Sequence, residues 1–334
     1  MAPQRRLMAV HAHPDDESSK GAATTAKYSD ESAEVLIVTC TGGERGDVLN
    51  PTFTGDYKGL EAMRELRQRE MAQAREALGV SQVWLGFVDS GLPEGDPLPP
   101  LPAGSFAAGD LATEVPELVR LVRSFRPHVM TTYDPMGGYP HPDHIRTHQI
   151  SVAAYILAAH PDYRPDLGEA WSVLKLYYNH DFSIARSLAL HEAMLDAGLE
   201  SPFGPWIDRR NEHPILERHA TTRIDVDPWR NRRDAALRAH ASQIDPGGFF
   251  FAVPRELESQ VWPWEEFELA STRVPASIPE VDLFAGIDPE ASDAELQAAA
   301  AGEGEPPIAG YEDTESAIDF LLPAGIEPDN TTTN

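Results

Sequence analysis

The feature that most constrains the fold of this 334-residue chain is the alternation of short apolar runs with helical segments. Four runs that are rich in apolar and β-branched residues have the length of buried strands. They occupy residues 6–12, 34–39, 81–87 and 128–133. Helical patterns lie between them, as in chains whose parallel strands are joined by crossover helices. The sequence therefore predicts an α/β fold with a doubly wound, mostly parallel sheet and helices on both faces.

The helical pattern is strongest over residues 57–78, where apolar side chains recur at helical spacing until Gly79 ends the segment. A helix of small residues, capped by Ser18 or Ser19, is predicted between the first two strands. Another helix is predicted at 111–125. In the second half of the chain the alternation is weaker. We expect a strand at 173–179 and helices at 183–197 and 227–242.

Charge divides the chain into two parts. The formal net charge is −27, and the 61 residues that follow Arg273 contain 14 acidic residues and no Lys or Arg. From about residue 288 the composition shifts to Ala, Glu, Gly and Pro, which is typical of segments that do not build a core. We therefore predict a domain at 1–287 and an acidic, partly disordered tail at 288–334. Such acidity argues against nucleic acid or an anionic membrane as a partner.

The N-terminal segment and the cysteine content bear on location. No apolar run of 18 residues occurs, and a histidine and two aspartates interrupt the N-terminal segment before a signal-like stretch can form. Cys40 is the single cysteine, which excludes an internal disulfide and argues against a thiolate metal cluster. We expect a cytoplasmic protein in which any metal is held by His, Asp or Glu.

Two His-Pro-Asp segments supply the residue types of a metal site. His13-Pro14-Asp15-Asp16 follows the first predicted strand, and His141-Pro142-Asp143-His144 follows the fourth. Ligands bind at the carboxyl ends of the strands in such sheets, so the two segments are expected to meet. Two imidazoles and one carboxylate, with a position open for water, suit a catalytic zinc site.

The remaining side chains of these segments fit the other roles in amide hydrolysis. The spare carboxylate of the first segment is suited to accept the proton of the attacking water. The spare imidazole of the second, oriented by Asp143, would stabilise the oxyanion or protonate the leaving amine. Tyr139 is a candidate gate or oxyanion donor, with simple packing as the alternative. Neither a phosphate-binding loop nor a dinucleotide fingerprint occurs, which makes nucleotide binding improbable.

The sequence resembles the PIG-L/LmbE-like family of zinc-dependent N-deacetylases. The motifs that carry the resemblance are AHPDDE, TGGE and HPDH, and longer runs such as WLGFVDSGLP and ALRAHASQIDP extend it over about residues 5 to 288. The resemblance implies a Rossmann-like α/β fold and one Zn²⁺ per chain, with Fe²⁺ as the alternative metal. It implies metal ligands at His13, Asp16 and His144, catalytic roles for Asp15, His141, Asp143 and Tyr139, and substrate contacts at Lys20, Glu44, Arg67 and Asp89.

The longer runs imply a family branch that cleaves mycothiol S-conjugates. The reaction would hydrolyse the amide between glucosaminyl-inositol and an S-conjugated N-acetylcysteine, giving a mercapturic acid. Lys20 would hold the cysteinyl part near the entrance of the site. Three alternatives remain open: a deacetylase of N-acetylglucosaminyl-inositol or another N-acetyl sugar, a biosynthetic homologue that acts on a thiol-conjugated natural product, and a non-enzymatic metal-binding module.

Overall fold

The protein is built around a seven-stranded sheet. A computed structural model of the chain describes residues 4–180, 182–212, 218–302, 306–311 and 317. Within these ranges the strands are β1 (Arg6–His11), β2 (Glu34–Thr41), β3 (Ser81–Phe87), β4 (Val129–Thr132), β5 (Lys175–Asn179), β6 (Thr222–Asp225) and β7 (Trp264–Thr272). Their order is β3-β2-β1-β4-β5-β7-β6. The first five run parallel, and β7 lies antiparallel to both β5 and β6.

Ten α-helices surround this sheet in the described ranges. They are α1 (Asp16–Ser19), α2 (Ala22–Asp30), α3 (Leu60–Leu78), α4 (Leu111–Phe125), α5 (Pro142–Leu157), α6 (Ile184–Asp196), α7 (Gly204–Glu212), α8 (Arg230–Ala239), α9 (Arg255–Val261) and α10 (Asp293–Gly302). The predicted α/β fold with a mostly parallel sheet is confirmed. Among the described helices, none combines the length and the apolar character that a bilayer crossing requires.

Successive residues of β1 pack into different apolar clusters, one on each face of the sheet. Helices must therefore cover both faces. Met8 and Val10 pack in the cluster that α4 and α5 contribute to, whereas Ala9 packs with Ile37 and Met71 on the opposite face. All five side chains are buried. Because successive side chains of a strand point to opposite faces, a central strand that is covered on both sides must be apolar throughout.

The largest departure from prediction lies between β1 and β2. One helix was expected there, but the chain forms α1 and α2, separated at Lys20 and Gly21. Gly21 has a φ of 67°, and a Cβ at this position would lie 3.2 Å from Asn179 Oδ1. The break therefore follows from a left-handed residue in a crowded position, which glycine accommodates best. It places the one-turn helix α1 at the carboxyl edge of the sheet.

At the predicted domain boundary, the described residues show no break in packing. Beyond residue 288, α10 buries Leu296 and Ala300 in a core cluster with residues of β1 and β2. Asp293 accepts two hydrogen bonds from Arg6 Nη2, and the Ala309 N–H donates to Ala270 O over 2.8 Å. Residues 303–305, 312–316 and 318–334 of the predicted tail lie outside the described residues.

The strand order reverses between β1 and β4. From β1 the chain proceeds to β2 and β3 on one side, then returns to form β4 and β5 on the other. Loops that leave β1 and β4 diverge at such a switch point and leave a crevice, which is the usual ligand site of open α/β sheets. Both His-Pro-Asp segments lie at this point.

Candidate metal centre and active site

The loop after β1 brings three polar side chains to the switch point within four residues. His13 and Asp16 are buried, and Asp16 begins α1. Between them Asp15 has a φ of 109°, an uncommon conformation for a residue with a side chain. The Asp15 N–H donates to Glu17 Oε2 over 2.9 Å, so the strained turn is held by a buried carboxylate. The turn gives the two carboxylates different partners: Asp16 lies beside His13 and His144, whereas Asp15 lies beside Arg67, and both residues line one cavity.

The loop after β4 contributes the second pair of imidazoles. His141 caps α5, with Nδ1 accepting from the Asp143 N–H over 3.1 Å. His144, in the first turn of α5, lies with Nδ1 2.9 Å from Gly137 O. Since a carbonyl oxygen only accepts, His144 Nδ1 carries the proton and Nε2 is left as a lone-pair donor. Proline at the first helical position suits this start of α5.

His13, Asp16 and His144 form a group with the composition and spacing of a metal site. Asp16 Oδ2 lies 3.5 Å from His13 Nδ1 and 3.4 Å from His144 Nε2, and the three donor atoms lie within 4.8 Å of one another. His144 Nε2 is buried and has no hydrogen-bond partner among the described residues. A buried acceptor is rarely left unpaired in a native protein. A metal ion bound by these three side chains would satisfy it.

A second group, His13, His141 and Asp143, has similar spacing but a simpler explanation. Asp143 Oδ2 lies 3.2 Å from His13 Nε2 and also accepts the Ser90 N–H over 2.9 Å. This is a hydrogen bond of the kind that orients a metal-binding imidazole from its far side. The expected contact of the Asp143 carboxylate with His141 is not the one formed. Asp143 reaches His141 through its backbone N–H, because helix capping places the carboxylate toward His13 instead.

Asp15 lines the cavity and is held by an ion pair with Arg67. Burial raises the pKa of its carboxyl group, and the nearby Arg67 guanidinium opposes this rise. Arg67 Nη2 donates to Asp15 Oδ2 over 2.9 Å and also to Pro14 O, while Nη1 donates to Gly43 O over 2.9 Å. Arg67 therefore fixes the Asp15 side chain and joins the loops that follow β1 and β2.

The cavity at this edge is polar. It is lined by Asp15, Asp16, His13, Arg45, Asp47, Arg67, Asp89, Glu94, Tyr139, His141 and Gln243, together with two leucines and two glycines. Tyr139 is 46% exposed at its mouth, and its ring centroid lies 4.6 Å from that of His144. Burial, together with the neighbouring His13 and His144, lowers the pKa of His141 to about 4. A neutral His141 thus faces the cavity near neutral pH.

The four predicted substrate-binding residues have different surroundings. Arg67 and Asp89 line the cavity, and Asp89 Oδ1 is 3.7 Å from His13 Nε2. Glu44 is buried beneath it, where Oε1 accepts from Arg64 and from the Asp89 N–H. Lys20 was expected near the entrance but is 7% exposed, with Nζ 2.7 Å from Asp16 Oδ1. Its one-turn helix directs the ammonium inward to the Asp16 carboxylate.

A buried pair that sequence reasoning missed supports the first loop. His240 Nε2 lies 2.6 Å from Glu17 Oε1, and both side chains are fully buried. Burial disfavours their charged forms, but their mutual attraction prevails: the pKa of Glu17 is lowered to about 2 and that of His240 is raised. His240 follows α8 within the ALRAHASQIDP run, yet nothing local in that run indicates a partner 223 residues away.

Sequence comparison identifies relatives over most of the chain. Residues 8–155 match the family described as PIG-L: GlcNAc-PI de-N-acetylase. The chain is 58% identical over 289 residues to the mycothiol S-conjugate amidase of Streptomyces coelicolor, covering 86% of this chain and 99% of the relative. It is 40% identical over 299 residues to a 1D-myo-inositol 2-acetamido-2-deoxy-alpha-D-glucopyranoside deacetylase of Streptomyces avermitilis, with coverages of 86% and 99%.

Comparison with solved structures identifies a protein of similar fold. The N,N'-diacetylchitobiose deacetylase of Pyrococcus horikoshii superimposes with a TM-score of 0.54 at 17% identity, over 79% of this chain and 83% of that one. At this identity the likeness concerns the arrangement of the sheet and helices alone.

Proposed function

The chain belongs to the GlcNAc-PI de-N-acetylase (PIG-L) family, and on this premise we propose that it is a metal-dependent amidase of mycothiol S-conjugates. It would hydrolyse the amide between glucosaminyl-inositol and the S-conjugated N-acetylcysteine, releasing a mercapturic acid. The observation that carries the proposal is the buried His13, Asp16 and His144 group beside a polar cavity that also contains Asp15. The identity to a relative of the same printed activity supports the choice of substrate.

We propose one Zn²⁺ per chain, held by His13 Nδ1, Asp16 Oδ2 and His144 Nε2. Two nitrogen donors and one oxygen donor suit zinc at a catalytic site, and Fe²⁺ accepts the same donors. The unpaired His144 Nε2 supports a bound cation at this position. When bound, such an ion supplies a Lewis acid that polarises a carbonyl and makes a water molecule more acidic.

Asp15 would serve as the general base. Its carboxylate lines the cavity, and Arg67 holds it in place over 2.9 Å. Burial raises the pKa of Asp15, which strengthens it as a proton acceptor relative to an ordinary aspartate. The Arg67 guanidinium opposes this rise in pKa, because its positive charge favours the ionised carboxylate. The Asp15 carboxylate would take a proton from the attacking water and hold it for the later steps.

His141 and Tyr139 would act on the other side of the substrate carbonyl. Both line the cavity, and their ring centroids are 6.0 Å apart. A neutral imidazole with Nδ1 engaged by the Asp143 N–H carries its proton on Nε2, which can donate to the oxygen that gains negative charge. The exposed Tyr139 would close the mouth of the cavity or add a second donor.

A sugar deacetylase is the second candidate. The supporting observation is the 40% identity to an inositol acetamido-glucopyranoside deacetylase over nearly its whole length. Both reactions cleave an amide on the amino group of the same sugar, so the groups that act on the carbonyl would be shared. The two candidates differ in the acyl part that the site must accommodate.

The test is release of amine by the zinc-loaded protein from the bimane conjugate of mycothiol and, separately, from N-acetylglucosaminyl-inositol. We expect the larger kcat/KM for the conjugate. A preference for the acetylated sugar would assign the protein to the deacetylases, and inactivity toward both would refute the proposal.

The variant Asp15→Ala tests the assignment of the base. We expect it to lose at least about a hundredfold in kcat, as is common when a general base is removed. Zinc content, measured by atomic absorption, should match that of the unmodified protein because Asp15 is not one of the proposed ligands. Full activity in this variant would contradict the mechanism.

A further inference from the structure

A short part of the acidic extension returns to the sheet beside the loop that follows β4. We refer to residues 306–311 as the C-terminal strap. Ile308 is buried in the core cluster that α5 and β5 contribute to. The Ala309 N–H donates to Ala270 O on β7, and Ala309 O accepts from the Tyr178 hydroxyl on β5 over 3.1 Å. Both backbone groups of Ala309 therefore hold the strap on the sheet.

The strap touches the loop that holds His144. Gly310 has a φ of 98°, and a Cβ at this position would lie 2.8 Å from Pro135 Cγ. Pro135 belongs to the loop between β4 and α5, in which Gly137 O lies 2.9 Å from His144 Nδ1. Glycine accommodates both the positive φ and the close approach. Gly310 thus lets the strap pack directly on the loop that contacts a proposed metal ligand.

Tyr311 makes a hydrogen bond to a buried histidine that lies one turn after His144 on α5. Tyr311 Oη lies 2.7 Å from His148 Nε2, and the two rings are nearly parallel with centroids 5.9 Å apart. Burial lowers the pKa of His148 to about 4, so its imidazole is neutral near neutral pH. His148 Nδ1 lies 2.9 Å from Tyr133 O. Because a carbonyl oxygen only accepts, Nδ1 carries the proton and Nε2 accepts from the Tyr311 hydroxyl.

Tyr133 connects His148 to the metal site. It directly follows β4, and its side chain is buried. Its ring stacks on that of His144, with centroids 4.3 Å apart and planes inclined by 22°. Its hydroxyl oxygen accepts the Ala12 N–H over 3.0 Å, directly before His13 in the chain. Tyr133 therefore contacts one proposed ligand and the backbone next to another, while His148 binds its carbonyl oxygen.

We propose that Tyr311 is a positioning residue for the metal site. Acting through His148, it fixes the peptide unit after Tyr133 and the loop that follows. That loop in turn orients the His144 imidazole for metal binding, and contacts that orient a metal-binding imidazole raise metal affinity. The inference rests on the proposed metal site but not on the choice of substrate. The extension would thus contribute to metal binding although none of its described residues lines the cavity beside the site.

The variant Tyr311→Phe removes the hydroxyl and keeps the ring. We expect its Kd for Zn²⁺, measured by competition with a fluorescent chelator, to rise about fivefold, the effect of losing one hydrogen bond. Tyr155→Phe is the matched control. Tyr155 lies about three turns beyond His144 on α5 and donates its hydroxyl hydrogen bond to Ser271 over 3.1 Å. This control should lower the Tm by a similar amount and keep the zinc affinity.

The second measurement needs no metal. The Gly137 N–H donates to Asp134 O, and the Gly138 N–H donates to Asp134 Oδ1, so both amides report on the loop. In the metal-free protein we expect them to exchange hydrogen about fivefold faster in Tyr311→Phe than in Tyr155→Phe. Mass spectrometry of the peptide that contains them measures the rates. Faster exchange in a protein whose unmodified form binds no Zn²⁺ would support the inference while the proposed metal-dependent function fails.

Three results would overturn the inference and leave the proposed function intact. The first is unchanged exchange together with unchanged zinc affinity in Tyr311→Phe. The second is faster exchange in this variant with undiminished zinc affinity, which would show that the loop does not control the site. The third is an equal loss of zinc affinity in Tyr311→Phe and Tyr155→Phe, since it would indicate a general loss of stability.

Discussion

Asp15 has the left-handed conformation of a residue under local strain. Such a conformation costs roughly 1–3 kcal/mol and persists where the surrounding structure holds it. Here the Glu17 carboxylate binds the Asp15 N–H, and Arg67 binds its side chain. The Pro14 that precedes it also restricts the turn. This turn separates two neighbouring carboxylates, so that Asp16 lies beside the two histidines and Asp15 lies beside Arg67.

Gly137 and Gly138 provide a matched test of the His144 position. Both have a φ of 74°, but a Cβ on Gly137 would lie 2.7 Å from His144 Cβ and 2.9 Å from Tyr139 O, whereas Gly138 has open space. We expect Gly137→Ala to weaken zinc binding about 10- to 100-fold by displacing His144, whose Nδ1 lies 2.9 Å from Gly137 O. Competition with a fluorescent chelator measures this affinity.

Gly138→Ala is the control for that substitution. It adds the same methyl group at the same φ of 74°, so it tests the strain of a positive φ without the contact to His144. Its zinc affinity should stay within about threefold of the unmodified protein. Equal losses in the two variants would show that strain in the loop, and not displacement of His144, controls the site.

At the scale of elements, the junction of α4 and α5 contains a buried carboxyl group that disfavours ionisation. Burial raises the pKa of Glu114 to about 7, although Arg146 on α5 opposes the shift from 3.6 Å. Below the ordinary pKa both folded and unfolded chains hold the proton. As pH rises from about 4.5 to about 7 the unfolded chain ionises first, so the free energy of unfolding falls.

We predict that Glu114→Gln removes this decrease in the free energy of unfolding with rising pH. The variant should be more stable than the unmodified protein at pH 7.5 by about 1–3 kcal/mol, and the two should be similar at pH 4.5. Urea unfolding at both pH values measures the difference. Glu117→Gln, on the exposed side of the same helix, is the control. Lower stability of the Gln variant at pH 7.5 would mean that the ion pair of Glu114 with Arg146 stabilises the fold by more than burial of the Glu114 carboxylate destabilises it.

The elements with simple periodic patterns were predicted well from the sequence. The observed β3 and α4 coincide with the predicted 81–87 and 111–125, and α3 ends at Gly79 as expected. The elements that were missed or displaced depend on distant contacts. The helix before β2 is broken because Gly21 is crowded by Asn179 from β5. The strand β7 lies between β5 and β6 and contains three glutamates, Glu265, Glu266 and Glu268, so its sequence lacks the apolar pattern of a buried strand.

The sequence was sufficient to predict which loops meet at the site. It was not sufficient to predict the hydrogen bonds that hold the side chains of those loops in place. Residues that follow strands of a parallel sheet must meet at one edge, so the two His-Pro-Asp segments could be brought together from the sequence alone. The bond from Asp143 to His13 depends on how His141 caps α5. The Glu17 and His240 pair depends on where α8 packs. Neither follows from periodicity or spacing.

At the scale of the whole molecule, the packing of α10 leads to a prediction about the acidic extension. Leu296, Ala300 and Ile308 are buried, and Asp293 pairs with Arg6 at the start of β1. Ending the chain after Asp288 should therefore lower the Tm by several degrees, because it exposes apolar surface of the body. Differential scanning calorimetry measures this.

A chain that ends after Ala317, the last described buried residue, is the control for that truncation. It removes the last 17 residues but keeps α10 and the pairing of Ala309 with Ala270. We expect its Tm to exceed that of the shorter chain and its zinc content to equal that of the full chain. Identical melting of all three chains would show that residues beyond 288 contribute nothing to stability.

The adjacency of β1 and β4 has a consequence for how the protein acquires its metal. His13 and Asp16 follow β1, His144 follows β4, and His13 lies 130 residues before Asp143, the neighbour of His144. An ion held by all three ligands stabilises the folded chain and has little affinity for the unfolded one. The ion would then be retained only by chains in which β1 has paired with β4. A chain in which the two strands have not yet paired would release it.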